Sequence, residues 1–258
     1  MDFFVVPDAA GTGAIGAGLL AAVIRSKPDA VLGIATGSSP LPIYEALAGH
    51  GLDMSRVRAF ALDEYVGLPA EHPESYAAVV QREVTGRLGL DPANVFVPDG
   101  FADDPDLAAT EYEEAIARAG GIDAQILGIG HNGHLAFNEP GSALDSRTRV
   151  EVLAESTRRA NARYFSTPEE VPSRCITQGL GTILEARHLI LVVKGADKSE
   201  ILHRALTGPV TSDCPASVVQ RHTHVTVIAD EAAAAWNEPS ALPRLTVETQ
   251  TLTDAGLR

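Results

Sequence analysis

The chain has 258 residues, of which 45% are hydrophobic and 21% charged, a composition typical of a globular protein with a sizeable core. Its formal net charge of -14 argues against nucleic acid or an anionic membrane as a partner, because both need a basic face. Two cysteines, Cys175 and Cys214, are too few for a disulfide framework and fit a reducing compartment. The N-terminal sequence MDFFVVPDAA has acids where a secretory leader has bases, and the apolar run 13–24 is too short to span a bilayer. We therefore expect a cytoplasmic protein.

Apolar runs and amphipathic segments alternate along the chain. The runs predicted as strands are residues 3–6, 30–35, 57–62, 95–97, 124–127, 189–193 and 225–229. The segments predicted as helices are residues 9–25, 40–48, 75–88, 105–119, 156–165, 172–185, 198–206 (with Asp197 as N-cap) and 231–236. Residues 147–155 look extended or irregular, and a polar tail ends the chain. This alternation predicts an α/β fold, an open, mostly parallel sheet with helices on both faces, in a single domain over residues 1–258.

Small and polar residues follow the second predicted strand. Thr36, Gly37, Ser38 and Ser39 precede Pro40, which suits the first turn of a helix. Such a loop offers backbone N–H groups, hydroxyls and the positive end of a helix dipole to an anion, typically phosphate. The alternative is an ordinary loop with a serine cap, since the motif is short and lacks the lysine of a P-loop.

Asp63 directly follows the third predicted strand. A carboxylate in this position is either a helix-capping residue, the commoner case, or a catalytic group. The sequence alone leaves both interpretations open.

The segment Gly128 to Gly141, GIGHNGHLAFNEPG, concentrates glycines, histidines, amides and a carboxylate directly after the strand 124–127. Glycines let the backbone approach a ligand closely or adopt positive φ. His134 and Glu139 form an acid/base pair that a loop could turn toward one ligand. The alternative is a glycine-rich turn whose polar groups are solvated.

Ligands of open α/β sheets bind beyond the carboxyl ends of the strands. Four predicted strands supply polar residues there: the loop 36–39, Asp63, residues 132–139 and Lys198. If each of these groups only capped a helix or a turn, their occurrence after four strands would be a coincidence. We therefore interpret them as one site for acid/base catalysis on a small phosphorylated metabolite. The sequence has no HExxH, no CxxC and no complete GxGxxG fingerprint followed by an acid, so we expect no metal and no cofactor.

Several motifs in order resemble the glucosamine-6-phosphate deaminase family, also called glucosamine-6-phosphate isomerase, over most of the chain. They are ATGSSP at 35–40, LDEYVGL at 62–68, HPESY at 72–76, GIGHNGHLAFNEPG at 128–141, SRTR at 146–149, NARYF at 161–165, and Lys198. The resemblance implies a Rossmann-like fold of the sugar-phosphate isomerase type. It also implies cofactor-free conversion of glucosamine 6-phosphate and water to fructose 6-phosphate and ammonia.

The same resemblance implies roles for the site residues. Asp63 matches the base that moves a proton between C2 and C1, His134 the residue that opens the pyranose ring, and Glu139 its partner. Asn132 stands where some members have Asp, so the imidazole of His134 loses a charged partner and ring opening rests more on Glu139. The residues that match the phosphate pocket are Thr36, Gly37, Ser38, Ser39, Arg163 and Lys198.

Some members of the family are hexamers activated by N-acetylglucosamine 6-phosphate through a second phosphate site. In this chain Arg149 matches a basic residue of that site, but Glu151 replaces the next one and Ala143 drops a hydroxyl beside Ser142. A carboxylate repels phosphate, so we predict indifference to this effector. The sequence leaves open a monomer or a homo-oligomer, and a lid motion of residues 147–181.

Three other functions compete with this interpretation. The related 6-phosphogluconolactonases have a different sequence after the histidine of the glycine-rich loop. A galactosamine-6-phosphate deaminase differs only in the C4 epimer of its substrate, which sequence does not settle. A sugar-phosphate-sensing regulator should carry a basic helix-turn-helix module, whereas this acidic chain starts its first strand at Phe3.

Overall fold

The computed structural model describes residues 1–236 and the backbone of residues 244–246. The strands are β1 (Asp2–Val6), β2 (Val31–Ile34), β3 (Arg58–Ala61), β4 (Asp63–Tyr65), β5 (Val95–Phe96), β6 (Ala124–Leu127), β7 (Arg149–Val152), β8 (Arg174–Thr177), β9 (Leu189–Val193), β10 (Val225–Asp230) and β11 (Arg244–Thr246). The helices are α1 (Ala9–Ser26), α2 (Leu41–Ala48), α3 (Tyr76–Val80), α4 (Gly86–Leu88), α5 (Pro105–Arg118), α6 (Glu155–Asn161), α7 (Leu180–Leu184) and α8 (Ser199–Thr207). A π-helical segment, Gln81–Thr85, joins α3 to α4.

The main sheet has the strand order β11-β1-β10-β9-β6-β2-β3-β5, and its neighbouring strands are parallel. Its central strands β9 and β6 are buried along their whole length. Strands covered on both faces are rich in apolar residues, which is why these two were recognisable in the sequence, although β6 contains the buried Gln125. The predicted α/β fold with a mostly parallel sheet is confirmed.

The helix α1 packs closely on α2 through two glycines. A Cβ on Gly13 would lie 2.5 Å from the carbonyl oxygen of Pro42, and one on Gly16 would lie 2.4 Å from Ile43. Asp8 caps the helix by accepting the N–H of Gly11 at 2.9 Å. By length and hydropathy α1 is capable of crossing a membrane, but half of it is buried inside this fold, as in the core helix of a globular protein.

A second, antiparallel sheet lies beside the carboxyl edge of the first, with the order β4-β8-β7. In its register Thr177 pairs with Asp63 on one side and with Arg149 on the other. The prediction of a helix over 172–185 is therefore wrong for residues 174–177, which form β8. Strand pairing with two partners distant in sequence overrides the local pattern here. The helical part is α7, which begins after Gly179.

Two predictions near the end of the chain are also wrong. Residues 231–234 form a turn and not the start of a helix. Asp197 does not cap a helix: α8 begins at Ser199 after a 3₁₀ turn, Ala196–Lys198, and the side chain of Asp197 contacts His131 instead. The strand β11, which pairs with β1, was not predicted, and the rest of the polar tail lies outside the described residues.

Candidate active site

The polar residues predicted to converge follow four neighbouring strands of the main sheet, β9, β6, β2 and β3. The loop 36–39 follows β2, Asp63 follows β3, the glycine-rich segment follows β6, and Lys198 follows β9. All of these strands run parallel, so their carboxyl ends share one edge. The structure therefore brings the predicted groups to one edge of the sheet.

Asp63 lies in the strand β4 and is only 8% exposed. Burial raises its pKa well above the ordinary value, and the charge of the adjacent Glu64 raises it further. Asp63 is not a helix cap. The N-cap of α3 is Ser75, and beside it the carboxylate of Glu64 accepts the backbone N–H groups of Tyr65 (2.7 Å), Tyr76 (2.9 Å) and Ala77 (2.8 Å). Both carboxylates are buried, and Glu64 rather than Asp63 is bound to the start of α3.

The turn that carries His134 depends on two glycines. The N–H of Gly130 donates to the carbonyl oxygen of His134, and the N–H of Gly133 donates to that of Gly130, both at 3.0 Å. A Cβ on Gly130 would lie 2.3 Å from the imidazole ring, and Gly133 has a φ of +88°. Ala136 has a φ of +50°, a conformation that costs a non-glycine residue about 1 kcal/mol or more. Side chains at 130 would displace the imidazole, and side chains at 133 would strain the turn.

Glu139 is the charged centre of the segment. Asn132 Nδ2 donates to Oε2 (2.7 Å) and the hydroxyl of Thr157 donates to Oε1, while His134 Nδ1 lies 3.6 Å from Oε2. Burial acts to raise the pKa of Glu139, but the neighbouring imidazole and the hydrogen bonds from Thr157 and Asn132 lower it to about 2. His134 Nδ1 is buried and makes no hydrogen bond within the described residues. The arrangement is an ionised carboxylate facing an imidazole nitrogen that has no hydrogen-bond partner among the described residues.

Asn132 connects the two partners. The backbone N–H of His134 donates to its Oδ1 at 3.2 Å, and its amide group donates to Glu139. The amide therefore orients both groups without supplying a charge.

The predicted phosphate-binding cations lie beside this segment. Lys198 is half-buried, and its Nζ donates to the carbonyl oxygen of Ile129 at 2.9 Å. Burial lowers its pKa, Asp197 opposes that effect, and the charge of Arg163 lowers the pKa further. The two cations are thus within electrostatic reach of each other. Arg163 is exposed and donates to the hydroxyl of Tyr164 at 2.9 Å.

The predicted phosphate-binding loop 36–39 lies partly at the surface. Gly37, which has a φ of +96°, and Ser38 are exposed, while Thr36 and Ser39 are half-buried.

Three residues that support the site were missed in the sequence. Thr157, on α6, is 5% exposed and bonds Glu139. Thr177 accepts the N–H of Phe137 at 3.1 Å, and the buried Asn138 donates to the carbonyl oxygens of Leu135 (3.0 Å) and Gln178 (2.7 Å). Each makes at least one contact across a long sequence separation, which no local pattern marks.

Arg149 matches a basic residue of the effector site found in some family members, but in this chain its guanidinium forms hydrogen bonds with neighbouring residues. It donates to Asn138 Oδ1 (2.9 Å), to the hydroxyl of Ser142 (3.2 Å) and to the carboxylate of Glu151. An intramolecular carboxylate therefore fills the place where an anionic ligand would pair. Whether residues 147–181 move as a lid stays open, as in the sequence.

Comparison with known proteins places this geometry in context. A family model described as glucosamine-6-phosphate isomerases/6-phosphogluconolactonase matches residues 12–228. A glucosamine-6-phosphate deaminase of Arthrobacter sp. (strain FB24) is 54% identical over 238 residues, covering 91% of this chain and 92% of the relative. That of Cutibacterium acnes is 55% identical over 238 residues, covering 91% of each.

Two solved structures extend the comparison. A monomeric glucosamine-6-phosphate deaminase superposes with a TM-score of 0.88 at 38% identity, covering 91% of this chain and 99% of the other. The 6-phosphogluconolactonase of Trypanosoma brucei superposes with a TM-score of 0.73 at 19% identity, covering 90% and 97%, which shows the fold alone.

Proposed function

The chain belongs to the family of glucosamine-6-phosphate isomerases and 6-phosphogluconolactonases, and on that premise we propose that it is a glucosamine-6-phosphate deaminase. The reaction converts glucosamine 6-phosphate and water to fructose 6-phosphate and ammonia. The observation that carries the proposal is a buried carboxylate, Asp63, at the same sheet edge as the imidazole–carboxylate pair of His134 and Glu139. Relatives of that name, about half identical over most of the chain, support it.

The first chemical step is ring opening. The proton of the anomeric hydroxyl leaves O1, and a proton is delivered to the ring oxygen O5. An imidazole exchanges protons near neutral pH, and His134 is the imidazole that faces Glu139 at this edge. Glu139, ionised and 3.6 Å from Nδ1, stabilises the imidazolium form during the transfer. Asn132 holds His134 and Glu139 in position relative to each other.

The second step moves a proton from C2 to C1. The carboxylate of Asp63 takes the C2 proton while the C1 carbonyl oxygen takes up a proton, which gives an enolamine. The same carboxyl group returns its proton to C1, and the C2 nitrogen loses one proton, which balances the proton gained by O1. The product is an imine at C2, which water hydrolyses to the ketone with release of ammonia. A buried carboxylate with a raised pKa is a stronger base than a solvated one. Burial of Asp63 thus serves the step that is hardest for a carboxylate.

The phosphate fixes the substrate far from the reacting carbons. Lys198 and Arg163 supply the cations, and Thr36, Gly37, Ser38 and Ser39 supply hydroxyl and backbone N–H donors. Binding energy from this end orients C1 and C2 against Asp63. Among the described residues no group of three or more His, Cys, Asp or Glu is placed to hold a metal ion, and the proton transfers proposed here require none. The buried, unpaired thiols of Cys175 and Cys214 support a cytoplasmic location.

One assay separates this proposal from its rivals. Ammonia release is measured with glucosamine 6-phosphate, galactosamine 6-phosphate and unphosphorylated glucosamine, and 6-phosphogluconolactone hydrolysis is measured in parallel. We expect turnover of glucosamine 6-phosphate and a large loss without the phosphate. Preference for the galacto epimer, or lactone hydrolysis without ammonia release, would replace the proposal with the corresponding rival. Absence of both activities would favour a binding protein.

A further inference from the structure

Two adjacent residues of the loop after β9 hold two residues of the loop after β6. Lys198 Nζ donates to the carbonyl oxygen of Ile129 (2.9 Å), and His131 Nε2 lies 2.6 Å from Asp197 Oδ2. These contacts join the segment that carries His134 to the segment that carries the phosphate-binding lysine. The proton transfers described above use neither His131 nor Asp197.

The chemistry of Asp197 fixes the direction of the hydrogen bond. The contact with His131 is the main cause that lowers the pKa of Asp197, so at neutral pH this group is a carboxylate and can only accept. The proton therefore sits on His131 Nε2. The side chains are 63% and 60% exposed, so the pair adds little to stability. The effect of the pair depends on where His131 holds the negative charge of Asp197.

That charge lies close to the phosphate site. Asp197 precedes Lys198 in the chain, and its charge acts on the pKa of the Lys198 ammonium. The loop backbone also fits this carboxylate: Gly195 has a φ of +98°, and a Cβ there would lie 2.6 Å from Asp197 Oδ1. A carboxylate in this position attracts the ammonium and repels an incoming phosphate.

We propose that His131 is a positioning residue for the phosphate site, which holds the carboxylate of Asp197 away from Lys198 so that the ammonium is left to bind the substrate's phosphate. The identity of the anion rests on the proposed function. Without His131, Asp197 turns to the adjacent Lys198 and competes with the phosphate. Loss of His131 therefore weakens the binding of phosphorylated ligands and leaves the steps after binding unchanged.

The test is a double-mutant cycle of His131→Gln, Asp197→Asn and the double variant, with His50→Gln as control. His50 is an exposed histidine near an arginine, at the end of α2 remote from the site. Two quantities are measured for each protein: KM and kcat for ammonia release, and the Kd of inorganic phosphate by calorimetry. The calorimetric arm needs no turnover, so it tests the inference even if the wild-type protein proves inactive on glucosamine 6-phosphate.

His131→Gln should raise KM and the phosphate Kd roughly 3- to 10-fold with kcat within about 2-fold, as expected for one partly screened charge. Asp197→Asn should leave both constants equal to or below the wild-type values. In the Asp197→Asn background, His131→Gln should have no further effect. An unchanged KM and Kd in His131→Gln, a loss confined to kcat, or an equal loss in the Asp197→Asn background would overturn the proposal.

Discussion

Asp63→Asn tests the proposed base directly, because it keeps the shape of the side chain and removes its basicity. The strand β4 pairs with β8 through the backbone, so the register between Asp63 and Thr177 does not depend on the carboxylate. A positioned general base contributes roughly 10²–10⁴-fold, or about 3–5 kcal/mol of barrier. Exchange of the C2 proton with solvent deuterium, followed by NMR on bound sugar phosphate, should fall by that factor.

The same substitution, which lowers the rate of C2 exchange, should increase the stability of the fold. The pKa of Asp63 is raised in the fold, chiefly by burial, so folding disfavours its charged form. This cost is absent below the ordinary pKa of a carboxyl group and grows as the pH rises toward the folded-state pKa. Asp63→Asn should therefore raise Tm at pH 7 and give little gain in acid.

A matched control is Asp53→Asn, which alters an exposed carboxylate whose pKa is lowered, first by the backbone N–H of Ser55. It should leave C2 exchange unchanged and should not raise Tm. Undiminished exchange in Asp63→Asn would remove Asp63 from the proton transfer. A marked fall in Tm would instead assign the carboxylate a structural role.

Four further outcomes are expected. Lys198→Ala should raise KM roughly 10- to 100-fold, the value of a hydrogen bond to a charged group, and wild-type kinetics would remove this lysine from the phosphate site. Exhaustive chelation with EDTA should leave activity intact, whereas loss that one divalent ion restores would overturn the mechanism. Thr157→Val removes a hydrogen bond that helps to hold the pKa of Glu139 at about 2, so a ¹³C NMR titration should show this pKa rising by roughly 1–2 units toward its ordinary value. Substrate saturation should be hyperbolic and insensitive to N-acetylglucosamine 6-phosphate because Glu151 pairs with Arg149; a sigmoidal curve that the effector straightens would contradict this.

The parallel sheet and the position of the site could be predicted from the sequence for physical reasons. Strands such as Leu189–Val193 are buried on both faces and so read as continuous apolar runs. Once the sheet is parallel, the residues after its strands must meet at one edge, which is why Asp63, His134 and Lys198 could be placed at the same edge from the sequence.

The supporting contacts could not be predicted in this way. β8 was taken for part of a helix because its partners, β4 and β7, lie elsewhere in the chain. Thr157 bonds Glu139 across eighteen positions, and the Glu64 carboxylate accepts the N–H of Tyr76 from twelve positions away. Contacts of this kind follow from the tertiary fold and leave no periodic signal in either segment.

The antiparallel sheet beside the active site also bears on how the protein is made. The strand that carries the proposed base, Asp63–Tyr65, pairs among the described residues with residues 175–177, and the first strand of the chain pairs with residues 226–230 and 244–246. During synthesis, the partners of both early strands are not available until most of the chain has left the ribosome. Such long-range pairing slows folding and leaves apolar strand edges open to aggregation. We therefore expect the proposed catalytic centre to be among the last parts of the molecule to form, and chains truncated before β8 to lack it.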